Sequence, residues 1–210
     1  MYPTLNQSPL IIQNKLRSTK RNVLRRSGKV TTFKSKKTTK MTTKMTTEHV
    51  FYQPTKVAIL LGSPNDYEKM KSAKDVLLDM GLIPEMKVMS AHRQPYEVAK
   101  LASNARNEGY AAIICGAGMA AHLAGVVASH TTLPVVGVPL SSSSVGGVDS
   151  LLSTVQMPKG IPVATVAIDN STNAAILVAQ MLSITNKTLS DKLNLMRQTT
   201  RENLNRTELV

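Results

Sequence analysis

The chain is poor in cysteine. A single thiol, Cys115, in 210 residues excludes an intramolecular disulfide and the small stapled scaffolds that depend on several. Cys115 ends the apolar run Ala111–Cys115, where a thiol packs as a small inert hydrophobe. Its use fits a reducing compartment. Long apolar runs are missing as well: none approaches the roughly 18 residues of a membrane-spanning helix, and no apolar signal core points to secretion. No His, Cys, Asp and Glu residues share a metal-ligand spacing. There is no Gly-x-Ser-x-Gly elbow and no phosphate loop ending in Gly-Lys-Ser/Thr. The acids are missing from one region only. Residues 1–47 hold 12 Lys and Arg and no Asp or Glu, leaving 14 basic against 13 acidic residues in 48–210. The formal net charge of +13 therefore belongs to the N-terminal extension. Any nucleic-acid partner is expected there and not on the folded part.

Residues 1–50 show no sustained apolar period. A segment that cannot bury surface cannot offset its ordering entropy, so it is expected to be a disordered basic extension. Three explanations compete for it: organelle targeting by residues 1–47 of an otherwise cytoplasmic protein, a basic arm for polyanions or membrane, and translation starting later. The repeat Lys40-Met41-Thr42-Thr43, Lys44-Met45-Thr46-Thr47 carries two internal methionines suited to the last.

What is present begins at Lys56. With 42% hydrophobic residues the composition suits a globular class. Val57–Leu61 is a continuous apolar run, the mark of a strand covered on both faces. Met70, Ala73, Val76, Leu77 and Met80 then recur at helical spacing up to Gly81. Further strands are predicted over Pro84–Met89, Ala111–Cys115, Pro134–Val138 and Pro162–Ile168. Helices are predicted after Pro95, over Ala120–Ser129, Asp149–Gln156 and Ser171–Ile184, and an amphipathic one over Lys187–Arg206. The Ser171–Ile184 helix is apolar nearly all round, which asks for cover on every side and points to burial in a subunit interface. The last helix is expected to find too few partners in its own domain and to reach a neighbouring subunit. Three segments result: the extension 1–50, an α/β domain 51–185 and a helical arm 186–210. Strands alternating with helices make a parallel sheet with helices on both faces. Right-handed crossovers gather the loops after each strand on one rim.

That rim carries the chemistry. Ser63 and Asn65 precede a helix whose exposed N–H groups favour an anion. Asp66 either accepts from sugar hydroxyls or caps the helix. Ser90, His92 and Arg93 place a hydroxyl, an imidazole that titrates near neutrality and a guanidinium fork in one turn. Gly116, Ala117 and Gly118 follow the third strand. A dinucleotide fingerprint is a weak match there, because the acidic residue expected about 20 positions on is missing. Backbone approach to a small anion fits better. His122 opens the next helix, either lining the pocket or serving as a structural histidine. A non-catalytic nucleotide- or flavin-binding module on the same fold is the rival reading.

Gly62-Ser63-x-x-Asp66, Ser90-Ala91-His92-Arg93-x-Pro95, Gly116-Ala117-Gly118-x-Ala120-Ala121-His122-Leu123 and Asp149-Ser150-Leu151-Leu152-Ser153-x-Val155-Gln156-Met157-Pro158 occur in that order. Together they resemble the N5-carboxyaminoimidazole ribonucleotide mutases of purine biosynthesis, over about residues 55–184. The resemblance implies a three-layer α/β/α, flavodoxin-like domain, no metal or other cofactor, and a homo-octamer with C-terminal helices crossing between subunits. It also implies a ribonucleotide substrate and, as functional partner, the ATP-dependent synthase that makes it. His92 is then the acid–base residue. Ser63, Ser90 and Arg93 hold phosphate, Asp66 holds ribose, and the Gly116–Gly118 run receives the carboxylate or CO2; Asn65 and His122 complete the binding set. Asn65, Gln94 and Ala124 stand where the family commonly has serine, threonine and proline. The family's other class, which carboxylates aminoimidazole ribonucleotide directly, resembles this pattern except for Ser-Ala-His-Lys. Arg93 favours the mutase.

Overall fold

The computed structural model describes residues 55–142 and 144–206; the expectations for residues 1–50 lie outside them. The chain alternates β1 (Lys56–Leu61), α1 (Tyr67–Asp79), β2 (Ile83–Val88), α2 (Pro95–Asn104), β3 (Tyr110–Gly118), α3 (Leu123–His130), β4 (Val135–Leu140), α4 (Val148–Val155) and β5 (Ala164–Thr165), ending in α5 (Ser171–Ser183) and α6 (Lys187–Arg206). All strand pairs are parallel, in the order β2-β1-β3-β4-β5. This is the flavodoxin-like order, whose topological switch point lies between β1 and β3. The Gly62 N–H donates to the Gly116 carbonyl at 2.9 Å, so the β1–β3 ladder continues to the mouth of that crevice.

The alternation along β1 explains the three layers. Val57, Ile59 and Leu61 join a core built with α1, α5 and α6, while Ala58 and Leu60 face the core built with α2 and α3. A strand buried on both faces needs an unbroken apolar sequence, as Val57–Leu61 has. On this scaffold β3 is longer than its apolar run, because Ala117 and Gly118 still pair with Pro139 and Leu140. The glycine stretch is thus mostly strand. β5 is shorter than expected, pairing only through Ala164 and Thr165. Pro162 has no N–H for a ladder, and beyond Thr165 the Val166 and Asp169 N–H groups still donate to the Gly137 and Pro139 carbonyls of β4, at 3.1 and 2.9 Å.

The expectation for α6 needs correction. Leu189 and Leu193 are buried in the same core as α5, and Met196 packs against it. The first half of α6 therefore covers its own domain, each leucine contributing about 1.5–3 kcal/mol. It also covers α5, whose Ala174, Ala175, Val178 and Ala179 are buried while Ile176, Leu177, Met181 and Leu182 are only partly so.

β2 is an edge strand, and its charges blunt it. Glu85 lies 2.6 Å from the Lys56 ammonium and 3.4 Å from that of Lys87, and it accepts from the Tyr110 hydroxyl. The bond from Lys56, then that from Tyr110, lowers the Glu85 carboxyl from 4.5 to about 2. A depressed folded-state pKa stabilises the protein above the unfolded value and is lost as pH falls towards the folded one. Glu85→Gln should therefore lower Tm at pH 7 and flatten its decline between pH 4.5 and about 2. Solvent screening keeps the effect near 1 kcal/mol. Thermal melts across pH check it, and parallel curves for the two proteins would contradict it.

Candidate active site

At the mouth of the β1–β3 crevice lies a cavity of about 470 Å³, walled by the loops after β1, β2, β3 and β4. The first loop is a short 3-10 turn, Pro64–Asp66, closed by a capping box. Ser63 Oγ accepts from the Asn65 N–H at 3.3 Å, and the Ser63 N–H donates to Asp66 Oδ2 at 2.9 Å. The cap is thus one use of the Asp66 carboxylate. Asp66 is buried. Burial pushes its carboxyl above the usual range, against the Ser63 N–H and the charges of Lys69 and Arg93.

The second loop folds on Ser90. Its carbonyl accepts from the N–H groups of Arg93 (3.2 Å) and Gln94 (2.7 Å). Its own N–H donates to Gln94 Oε1 at 3.2 Å, so Gln94 closes the turn it belongs to. Pro95 then starts α2 at its first position, where a missing N–H costs nothing. The turn leaves His92 and Arg93 exposed. Arg93 Nη2 donates to the Gly62 carbonyl at 2.9 Å, tying the second loop to the first.

Opposite stands the end of β3. Ala117, Gly118, Met119, Ala120 and His122 line the cavity. Met119 takes φ 56°, and that left-handed residue turns the chain from β3 towards α3. His122 caps α3. Its Nδ1 lies 3.3 Å from the Ala120 carbonyl, and its ring sits 3.9 Å from that of His92, tilted by 46°. The two imidazoles bridge the loops after β2 and β3.

Nine of the ten residues singled out from sequence line this one cavity: Ser63, Asn65, Asp66, Ser90, His92, Arg93, Ala117, Gly118 and His122. Gly116 does not. It is buried, and a Cβ there would stand 2.4 Å from Met70 Sδ. A side chain here would have to displace Met70 where α1 packs on β3. Ser142, to which sequence reasoning assigned no role, is on the wall. Its Oγ lies 1.5 Å from where a Cβ on Gly118 would be, so Gly118 is bare to admit that hydroxyl. Ala124, the third departure from the family pattern, is buried in α3 away from this wall. A larger, shallower groove of about 790 Å³, with Arg106 and His130 on its walls, lies at the opposite edge of the sheet. It has none of the loops that follow the strands.

Residues 56–203 match the family described as AIR carboxylase. The chain belongs to that family. Within it, the chain is 48% identical over 154 residues to the N5-carboxyaminoimidazole ribonucleotide mutase of Saccharolobus solfataricus, covering 73% of this chain and 98% of that protein. It is 47% identical over 148 residues to the chloroplastic phosphoribosylaminoimidazole carboxylase of Vigna aconitifolia, 70% of this chain but 27% of that longer protein. The crystal structure of Treponema denticola PurE superposes with a TM-score of 0.66 at 25% identity, over 72% of this chain and 94% of that one. The family's α/β architecture is therefore the one observed here.

Proposed function

We propose that this chain interconverts N5-carboxyaminoimidazole ribonucleotide and 4-carboxyaminoimidazole ribonucleotide in purine biosynthesis, with His92 as the proton carrier. The observation that carries the reading is the position of His92. Its exposed imidazole lines one cavity with an anion grip, Arg93 and the capped Ser63 turn, and with the side-chain-free edge at Gly118. The grip suits a phosphate and its ribose, held by Ser63, Ser90, Arg93 and Asp66 with Asn65 beside them. Binding energy gathered there orients a reacting ring several ångströms away.

The His92 imidazolium protonates the exocyclic nitrogen of the carbamate. The C–N bond breaks, its electrons stay on nitrogen, and CO2 leaves. The wall of Ala117 and Gly118 keeps the CO2 from the solvent. C4 of the ring, an enamine carbon, attacks it and forms the new C–C bond. Neutral His92 then takes the C4 proton and aromaticity returns. One proton is given and one recovered, so the balance closes on a single group.

Outward-facing apolar side chains support the oligomer reading. Val148, Leu152 and Val155 follow one stripe of α4, each about half exposed, and Leu195 and Leu204 protrude from α6. These surfaces suit a homo-octamer. The synthase that makes the carbamate is the natural functional partner. Among the described residues no helix is long and apolar enough to cross a membrane. We place the enzyme in the cytoplasm, with residues 1–47 available for organelle targeting.

The test is an ultraviolet assay on the purified carbamate nucleotide, alongside aminoimidazole ribonucleotide plus bicarbonate. Turnover of the carbamate, unchanged on removing residues 1–47, is expected. Turnover only with aminoimidazole ribonucleotide and bicarbonate would assign the chain to the directly carboxylating class. Loss of activity with the extension would refute the catalytic independence of 48–210.

A further inference from the structure

Three elements outside the phosphate grip are fastened together at the cavity's edge. Lys69, one turn beyond Asp66 in α1, sends its ammonium to the Ser141 carbonyl at 2.9 Å, to Ser141 Oγ at 2.6 Å and to Asp169 Oδ2 at 3.1 Å. Asp169 accepts from the Ser141 N–H at 2.9 Å and from the Ser141 hydroxyl. Each member is itself held. The Asp169 N–H donates to the Pro139 carbonyl at 2.9 Å. The Lys69 carbonyl accepts from Ser171 Oγ at 2.6 Å, and Ser171 is fully buried.

Asp169 adopts φ 57°, a left-handed conformation that non-glycine residues seldom take. Such outliers persist where the surroundings over-determine them, and they gather at functional sites. The next residue after the fastened Ser141 is Ser142. Its N–H donates to the Leu140 carbonyl at 2.9 Å, and its hydroxyl is set against the backbone of Gly118 on the cavity wall.

We propose that Lys69, Asp169 and Ser141 are positioning residues that seat the Ser142 hydroxyl beside Gly118, where it donates a hydrogen bond to the migrating carboxyl group. The proposal rests on the mutase reading. A donor fixed in advance stabilises developing carboxylate charge without reorganising, and a serine hydroxyl supplies one such proton. Fixing it through three elements keeps the CO2-facing wall in register with the phosphate grip, since Lys69 and Asp66 share the start of α1.

The variants are Asp169→Gly, Ser142→Ala and their combination, assayed on the carbamate nucleotide in 13C-bicarbonate. Glycine takes φ 57° freely, so the melting temperature of Asp169→Gly should hold or rise. Its kcat should nevertheless fall at least tenfold, with KM within threefold. Carbon from the medium should enter the product several times more often than in the wild type. Ser142→Ala should behave alike, and the double variant should be no worse than Ser142→Ala. Asp169→Asn, which keeps one acceptor for the Ser141 N–H but loses the charge facing Lys69, should fall between; it serves as the main probe if the glycine variant misfolds. Wild-type kcat and carbon retention in Asp169→Gly, or in Asp169→Asn in its place, would overturn the clamp while leaving the mutase reading intact. Multiplicative losses in the double variant would also overturn it. Absence of turnover in the wild type would reject both.

Discussion

Replacing His92 with asparagine is expected to leave nucleotide binding within a few-fold and to lower turnover by about 10³- to 10⁴-fold, the upper part of what general acid–base catalysis supplies. Asparagine keeps a polar group of similar reach but cannot carry a proton at neutral pH. The grip is untouched, because Arg93 is fixed to Gly62 and the Ser63 turn by its own bonds. His122 is the control. Its ring lies 3.9 Å away, yet Nδ1 is engaged by the Ala120 carbonyl at 3.3 Å. His122→Asn should cost roughly tenfold through orientation of its neighbour, well below a full acid–base loss. The decisive measurement pairs kcat with a direct binding titration for each variant. Near-normal turnover in His92→Asn would discard the assignment, and a larger loss in His122→Asn would move the role to that ring.

The fold was legible where physics is local. Val57–Leu61 and Ala111–Cys115 are apolar on both faces, and only a central strand of a covered sheet uses such a run. β5 was overextended because Pro162–Ile168 has strand composition but sits at an edge, where the regular ladder covers only Ala164 and Thr165. The partner of α6 was missed for a similar reason. Leu189 and Leu193 form an apolar stripe, but a stripe does not say which surface it meets. That surface is α5, adjacent in sequence and space.

The site divides along the same line. Ser90, His92 and Arg93 lie within one turn after a strand, so chain order alone brings them together. Lys69 meets Ser141 across 72 residues and Asp169 across 100, and no local pattern encodes such contacts. A positive φ at an aspartate leaves no trace in composition either. Gly116 and Gly118 look alike in sequence. One makes room for Met70 in the core and the other for Ser142 at the cavity, and only the fold separates a packing glycine from a site glycine.

Arg93→Met should raise KM for the ribonucleotide by about 10- to 100-fold, the value of a charge-assisted hydrogen bond or two, and leave kcat within about threefold of wild type. The guanidinium is exposed and already anchored to the Gly62 carbonyl at 2.9 Å, and it lines the same cavity as the capped Ser63 turn. In the proposed reading the fork meets the substrate phosphate, in the ground state and the transition state alike. An interaction equal in both states appears in KM and not in kcat. Arg93→Lys should recover part of the loss, because an ammonium keeps the charge but not the fork. Raising the salt should weaken wild-type binding more than that of the methionine variant, since the charge being screened is the one removed. Unchanged KM in Arg93→Met would mean that the side chain only braces Gly62 and that the phosphate rests elsewhere. A collapse of kcat instead would tie the guanidinium to the reacting carboxyl group, and the substrate would have to lie in the cavity the other way round.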